Sequence, residues 1–406
     1  MKRLVERSEY LNFLKRHQDK PLIKVVSGVR RAGKFTLFQL FRDYLTETGV
    51  SDEAIISINF EDMAYDSLRG ARSLYDYLIK KIAAKKKVYI FLDEIQHVEN
   101  FERVVDSLFI KENVDLYITG SNAYFLSGEI ATLLSGRYVE LKMLPLSFSE
   151  FVEWKKQNED DQPNAQYFNE YLKSSMPYTL FTETDQEALE YLQGLYSTVV
   201  LNDIVARLNV SDVRVLERLI ETLFSSVGSL VTVNKIKNTL VSKGTSISNK
   251  TVEKYLQGIL DSLILYEAKR YDVHGRELLD TQSKYYVVDS GLRRLILRDH
   301  HQDFGHVLEN IVYLELRRRG NKVYVGKVDR YEVDFVAINE KQEVSYYQVA
   351  LTTLDEAVLK RELRSLQAIK DSYPKYLLTL DEYNKEANFN GIKKMNVLDW
   401  LLSVDS

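Results

Sequence analysis

Gly28, Gly33 and Lys34 stand at the spacing of a phosphate-binding loop, G-x-x-x-x-G-K, directly after the apolar run LIKVVS. Backbone amides of such a loop, at the start of a helix, wrap phosphate oxygens. The helix dipole adds a favourable field and the lysine reaches the outer phosphates. Val29, Arg30, Arg31 and Ala32 complete the loop, the two arginines being either further phosphate contacts or solvated charges. Downstream, VYIFLDE ends in adjacent carboxylates, Asp93 and Glu94. Asp93 can hold Mg²⁺, usually through water, and Glu94 can orient or deprotonate an attacking water. An Asp-Glu pair after an apolar strand is, by itself, as readily a solvated strand end; the two parts together predict a site for ATP and Mg²⁺.

The loop departs from its pattern at one position. A hydroxyl is expected immediately after the lysine, yet Phe35 stands there and Thr36 comes one residue late. One helical residue turns a side chain by about 100°, so Thr36 does not simply substitute. Mg²⁺ demands near-ideal octahedral oxygen geometry and spreads the charge that develops during phosphoryl transfer. The expectation is a protein that binds nucleotide, ATP or ADP, and hydrolyses it poorly. Ser121 and Asn122, just after the run VDLYITG, are candidates for sensing the terminal phosphate. Arg137, in LLSGRY, is either an arginine finger acting across a subunit contact of a homo-oligomer or a surface arginine beside a glycine turn.

These residues need a scaffold, and the sequence supplies one. Between Pro21 and about Leu144, five short apolar runs (LIKVVSG, IISINFED, VYIFLDE, VDLYITGS, YVELKML) alternate with helical patterns, which predicts a parallel α/β sheet. Ligand-contacting residues of such sheets lie beyond the carboxyl ends of the strands, where Gly28, Asp93, Glu94 and Ser121 fall. The polar stretch KKQNEDDQPNAQ, residues 155–166, reads as a loop, and helical periodicity resumes over 187–208. From Val210, three helical patterns and then YEAKRYDVHGRELL describe a winged helix-turn-helix. Ser248 is the expected cap of its third helix. Ser248, Asn249, Lys250 and Lys254, with Lys269, Arg270, His274 and Arg276 near the hairpin, can neutralise phosphates of double-stranded DNA. The alternative is an interdomain or oligomer module, with Glu253, Asp261 and Asp272 diluting the charge. Residues 284–406 read as mixed α/β.

The ordered set SGVRRAGKFTLFQLF, IISINFED, YIFLDEIQHVENFERVVDSLF, LYITGSNAYFLSGEIATLLSGRYVELKMLPLSFSEF and LENIVYLELRRRG resembles a prokaryotic AAA-type P-loop ATPase family related to the archaeal ATPases. That family carries a C-terminal domain of unknown function similar to restriction endonucleases. The resemblance implies ATP binding and hydrolysis, with Lys34, Asp93 and Glu94 in the core roles, and four regions: an AAA-like P-loop domain over 1–150, a helical connector over 151–209, a winged helix over 210–279 and a restriction-endonuclease-like domain over 280–406. In the last, it points to Glu309, Asp334 and Gln348 as a degenerate nuclease site. A metal-dependent nuclease wants a lysine two residues after the last of these, on the same strand face, and Ala350 stands there. Two further functions compete with the nucleotide-controlled DNA reading: a degenerate protein-interaction module, and an ATP-gated DNA nuclease.

Composition sets the outer limits. A chain of 406 residues exceeds one ordinary hydrophobic core, and a formal net charge of -4 leaves nucleic-acid binding to local patches. With no cysteine, thiolate metal sites, disulfides and cysteine nucleophiles are excluded. No apolar run approaches the ~20 residues that span a bilayer, so a cytoplasmic protein without a membrane partner is expected.

Overall fold

The computed structural model describes residues 4–82, 86–123, 134, 136–158, 160–298 and 303–403. Two compact units result: Leu4–Pro145 with Asp261–Leu263, and, among the described residues, Leu146–Leu260 with those from Ile264 onward. No helix among the described residues is long and apolar enough to cross a membrane.

The first unit is built on a five-stranded sheet in the order β2-β3-β4-β1-β5, from β1 (Ile23–Ser27), β2 (Ile55–Asn59), β3 (Val88–Asp93), β4 (Val114–Gly120) and β5 (Tyr138–Lys142). Every pairing is parallel. All five runs expected from the sequence are therefore strands. The residues of β1 and β3 are buried throughout, as parallel strands covered on both faces must be. On one face α1 (Ser8–His17) and α2 (Lys34–Glu47) pack through Phe38 and Phe41 onto Phe91 and Tyr117, whose rings stack at 4.7 Å. On the other, α3 (Ala71–Ile82) and α4 (Phe101–Phe109) cover Ile56, Ile58, Ile90 and Leu92. This double cover fixes the strand ends from which the loop residues project.

The second unit opens with α5 (Phe148–Gln157), α6 (Asn164–Tyr171) and α7 (Asp185–Thr198). Of the polar stretch expected to be a loop over 155–166, residues 155–157 belong to the end of α5 and 164–166 to the start of α6. The reason is local: Ser147 and Glu150 form a capping box that starts α5, and the buried Phe148, Phe151 and Trp154 hold it, so the charged residues ride on its last turn. α7 continues into a π-helical segment, Val199–Val205. Then come α8 (Val213–Ser225), α9 (Val233–Ser242) and α10 (Asn249–Asp261), the three helices the sequence predicts.

The hairpin that follows, β6 (Leu265–Asp272) and β7 (Glu277–Val287), carries a finding that the sequence did not disclose. It is the end of an eight-stranded sheet, order β12-β13-β11-β10-β9-β8-β6-β7. β8 (Lys322–Val328), β9 (Tyr331–Ile338), β10 (Val344–Ala350), β11 (Lys375–Thr379), β12 (Ala387–Phe389) and β13 (Ile392–Asn396) complete it, with α11 (Ser290–Leu297), α12 (Phe304–Arg318), α13 (Glu356–Gln367) and α14 (Val397–Leu402). The boundary expected between residues 279 and 280 falls inside β7, because one strand serves both regions. Its Ser283 pairs with Val231, between α8 and α9, while its neighbour β6 pairs with β8.

Candidate functional site

The loop Gly28–Gly33 joins β1 to α2. Gly28 is glycine for a steric reason: a Cβ there would stand 2.3 Å from the carbonyl oxygen of Met143. Gly33 caps α2 at φ 102° and Arg31 has φ 65°, so the loop turns through left-handed backbone twice before the helix begins. Ala32 and Val29 are fully buried beneath the loop. Arg30 is drawn aside by Glu61, 2.8 Å away, whereas Arg31 is exposed.

Lys34 is buried at the first position of α2. Its Nζ donates to the carbonyls of Gly28 (3.0 Å) and Val29 (3.4 Å) and stands 3.2 Å from Glu94 Oε1. Lys34 and Glu94, the residues expected to reach phosphate and to orient water, thus meet at one point, each following a strand of the parallel sheet, β1 and β3. Asp93 ends β3 with its Oδ1 accepting from the Thr119 hydroxyl at 2.6 Å, and the same hydroxyl accepts from the Glu94 amide at 2.8 Å. Thr119 therefore holds the Asp93 carboxylate and the Glu94 backbone together, a role sequence reasoning missed; its signal was its place on the next strand over, opposite the strand end.

Environment pushes the two acids apart. Burial, reinforced by the charge of Glu94, raises Asp93 to about 6. Glu94 is also penalised by burial, but Lys34 and the hydrogen bonds from Gln96 and Ser121 outweigh it and hold Glu94 at about 2. Gln96 bridges Glu94 Oε2 to Ser121 Oγ, 3.2 Å away, so Ser121 does join the site, through a residue not expected from the sequence. Asn122 follows it beyond β4.

Phe35 is 47% exposed, so its ring turns outward from the first turn of α2, and Thr36 is partly buried one residue on. The turn offers a phenyl group where a metal-binding hydroxyl is needed. The glycine loop and Lys34 fit nucleotide phosphates; the full oxygen set that Mg²⁺ ordinarily takes from this loop is not here. Arg137 lies just before β5, whose first residue Tyr138 pairs with Ile23 at the amino end of β1. It is ion-paired with Asp106 and its guanidinium lies 5.7 Å from the Phe109 ring centre. It is therefore at the opposite end of its own sheet from the loop, about 16 Å away by strand length. Residues 124–133 and 135, within the motif preceding it, lie outside the described residues.

In the second unit, Ser248 accepts from the Thr251 amide at 3.1 Å and caps α10 as expected. Lys250 is exposed, but Lys254 donates to the Leu208 carbonyl at 2.8 Å and is committed to a helix end. Asn249 bonds Asn234, Arg270 bonds Gln282, and His274 faces Asp329 at 3.4 Å. Lys269 and Arg276 are exposed. Lys235 and Lys243, on and just after α9, add exposed positive charge that the sequence reading did not single out.

Glu309 on α12 and Asp334 on β9 are both buried and both face Lys284 of β7, with Nζ 2.9 Å from Glu309 Oε1 and 3.8 Å from Asp334 Oδ1. Gln348 uses its amide elsewhere, on Glu362 (3.0 Å) and Ser365 (3.1 Å), and meets Asp334 only at its backbone N–H. Ala350 ends β10 without a polar side chain.

Comparison with known proteins places this geometry. The AAA domain family matches residues 20–152, and a domain of unknown function matches residues 164–303. An uncharacterized protein of Haemophilus influenzae is 40% identical over 403 residues, covering 99% of each chain. An uncharacterized protein of Methanocaldococcus jannaschii is 31% identical over 398 residues, covering 93% of this chain and 85% of that one. Among solved structures, the Walker-type ATPase of Pyrococcus abyssi superposes with a TM-score of 0.52 at 16% identity, over 72% of this chain and 96% of that chain, a likeness of fold.

Proposed function

We propose, from the AAA domain match over residues 20–152, that this chain binds ATP and ADP at the Gly28–Lys34 loop, hydrolyses ATP slowly, and uses nucleotide occupancy to control its second unit. The observation that carries this reading is the junction of Lys34 with Glu94 beneath a loop whose Gly28 admits no side chain. Lys34 is held by two carbonyls and one carboxylate, partners that a polyphosphate can outbid by charge. Drawing Lys34 away removes the charge that holds the Glu94 carboxyl low and so makes it a stronger base for a proton from water, while Gln96 keeps it in place. The bound nucleotide supplies the phosphoanhydride bond; the chain supplies cradle, lysine and base, without a hydroxyl at position 35.

The test compares nucleotide affinity and phosphate release for the protein and for Phe35→Ser. Affinity is expected to change less than threefold, roughly, while turnover rises by about tenfold or more in the serine form. Turnover of ~1 s⁻¹ or faster by the unaltered protein, ordinary for phosphoryl transfer, overturns the slow-hydrolysis reading.

For the second unit, we infer a winged-helix arrangement on a restriction-endonuclease-like sheet, with duplex DNA as the partner of the helical face. Exposed Lys235, Lys243 and Lys250 on and beside successive helices favour this reading over a protein-binding module. Binding in a gel shift should fall steeply with salt. Absence of any duplex binding at low salt sends the reading to the protein-interaction alternative.

A further inference from the structure

Lys284 is buried in the second unit, its side chain 3% exposed, at the meeting point of three carboxylates. Its Nζ is 2.9 Å from Glu309 Oε1, 2.8 Å from Glu332 Oε1 and 3.8 Å from Asp334 Oδ1. An ammonium has three N–H donors and no acceptor; Glu309 and Glu332 are within hydrogen-bond distance, and Asp334 faces the same charge as a longer ion pair. Other donors use further lone pairs: the Tyr286 hydroxyl gives to Glu309 Oε1 at 2.7 Å, and the Val349 amide gives to Asp334 Oδ2 at 2.9 Å. Burial, then the neighbouring Glu309, pushes Asp334 well above the usual carboxylate range, which lowers the excess negative charge around the single ammonium.

A restriction-endonuclease-like domain implies a divalent ion between the helix glutamate and the strand aspartate. The residues here do not fit one. A hard divalent cation requires six or more oxygens around one point, and the point shared by Glu309, Glu332 and Asp334 is taken by nitrogen. Gln348, the third residue of the expected degenerate site, has its amide engaged with Glu362 and Ser365. Among the described residues no group of three or more His, Cys, Asp or Glu side chains is arranged to hold a metal ion.

We propose that Lys284 is the resident cation of this carboxylate cluster: its ammonium takes the place of a divalent ion and ties β7 to α12 and β9, so that the second unit is held by an internal ion-pair lock and binds no metal there. The lock has a structural reach beyond the cluster. Ser283, next to Lys284, pairs with Val231, so the same strand anchors the helical region to the eight-stranded sheet. The inference stands independently of the nucleotide site.

The experiment uses the full chain, free of nucleotide, with Mn²⁺ as probe. Titration followed by electron paramagnetic resonance should reveal no Mn²⁺ site in the unaltered protein that Asp334→Asn removes. Lys284→Ala should gain such a site, seen as a Mn²⁺-dependent rise in melting temperature of roughly 5 °C at about a hundred times the dissociation constant, and Lys284→Ala/Asp334→Asn should lose it again. A Mn²⁺ site in the unaltered protein that vanishes in Asp334→Asn overturns the proposal, as does a folded Lys284→Ala protein that gains none. Should Lys284→Ala not fold, the titration of the unaltered protein against Asp334→Asn decides alone.

Discussion

Each unit buries one lysine against acids, and the two lysines are set for opposite purposes. Lys34 has two backbone carbonyls and one carboxylate, Glu94, at 3.2 Å, and it opens a helix beneath a glycine loop. Lys284 has three carboxylates, with 2.8 and 2.9 Å to the nearer two. A buried ammonium with weak, replaceable partners is a reserve of charge for an anion that arrives later. One surrounded by carboxylates is already neutralised and can only be removed at a cost. The difference teaches that burial of a lysine does not mark a ligand site; the kind and number of its partners does.

The largest expected effect tests that contrast on stability. Lys284→Ala leaves Glu309, Glu332 and Asp334 without their cation and should cost about 3–5 kcal/mol, the range for breaking one side of a buried ion pair. Lys34→Ala should cost about 1–2 kcal/mol, since Glu94 keeps Gln96 and the lost carbonyl contacts are modest. Nucleotide affinity should move the other way, dropping by roughly tenfold or more in Lys34→Ala and holding in Lys284→Ala if that protein remains folded. Denaturant unfolding and a fluorescent nucleotide titration on the two variants read both axes. Equal destabilisation would break the comparison.

How far the sequence foretold these two sites differs for a physical reason. The loop site rests on local order: Gly28, Gly33 and Lys34 lie within one turn and the next strand but one carries Asp93 and Glu94, so spacing reveals the chemistry. Even there Thr119 and Gln96 escaped, because their roles exist only once β3 and β4 are side by side. The Lys284 cluster is assembled across β7, β9 and α12, and YYVVDS looks like any buried strand. With Glu309 and Asp334 known, the absence of a lysine at position 350 read as a loss; the sheet order shows a lysine arriving at those acids from another strand. The same sheet order explains why the boundary expected at 279 and 280 falls within a strand. The stretch YEAKRYDVHGRELL announces a hairpin, and it cannot say that two regions share its second strand.

A smaller effect sharpens the comparison from the acid side. Asp93, raised to about 6 by burial, has a folded value above its ordinary 3.8, so the stability it contributes is fully present below pH 3.8 and lost as pH rises through 6. Glu94 runs the other way: held at about 2 against an ordinary 4.5, it contributes above pH 4.5 and loses that contribution as pH falls toward 2. Asp93→Asn removes the first dependence while keeping an acceptor for Thr119. At pH 7 to 8 the variant should exceed the unaltered protein by roughly 1–3 kcal/mol, the gap closing below about pH 4. Urea unfolding across that range checks it, and a pH-independent difference refutes the buried-acid reading of Asp93.

The smallest effect concerns the second hydrogen bond at Glu309. Tyr286 donates to the same Oε1 that Lys284 holds, at 2.7 Å, and its ring stacks on Tyr313 with 4.1 Å between centres. Tyr286→Phe keeps the stack and removes one donor to a charged acceptor, which should cost about 1.5–3 kcal/mol if the carboxylate depended on it. With Lys284 already on that oxygen, the expected loss is at the lower end or below, about 1 kcal/mol. The coupling is then visible in a double-mutant cycle: removing Tyr286's hydroxyl in a Lys284→Met background should cost more than in the unaltered chain, because Glu309 then has lost both donors. An additive cycle would mean that the hydroxyl and the ammonium serve Glu309 separately, and the cluster would be a set of contacts instead of a lock.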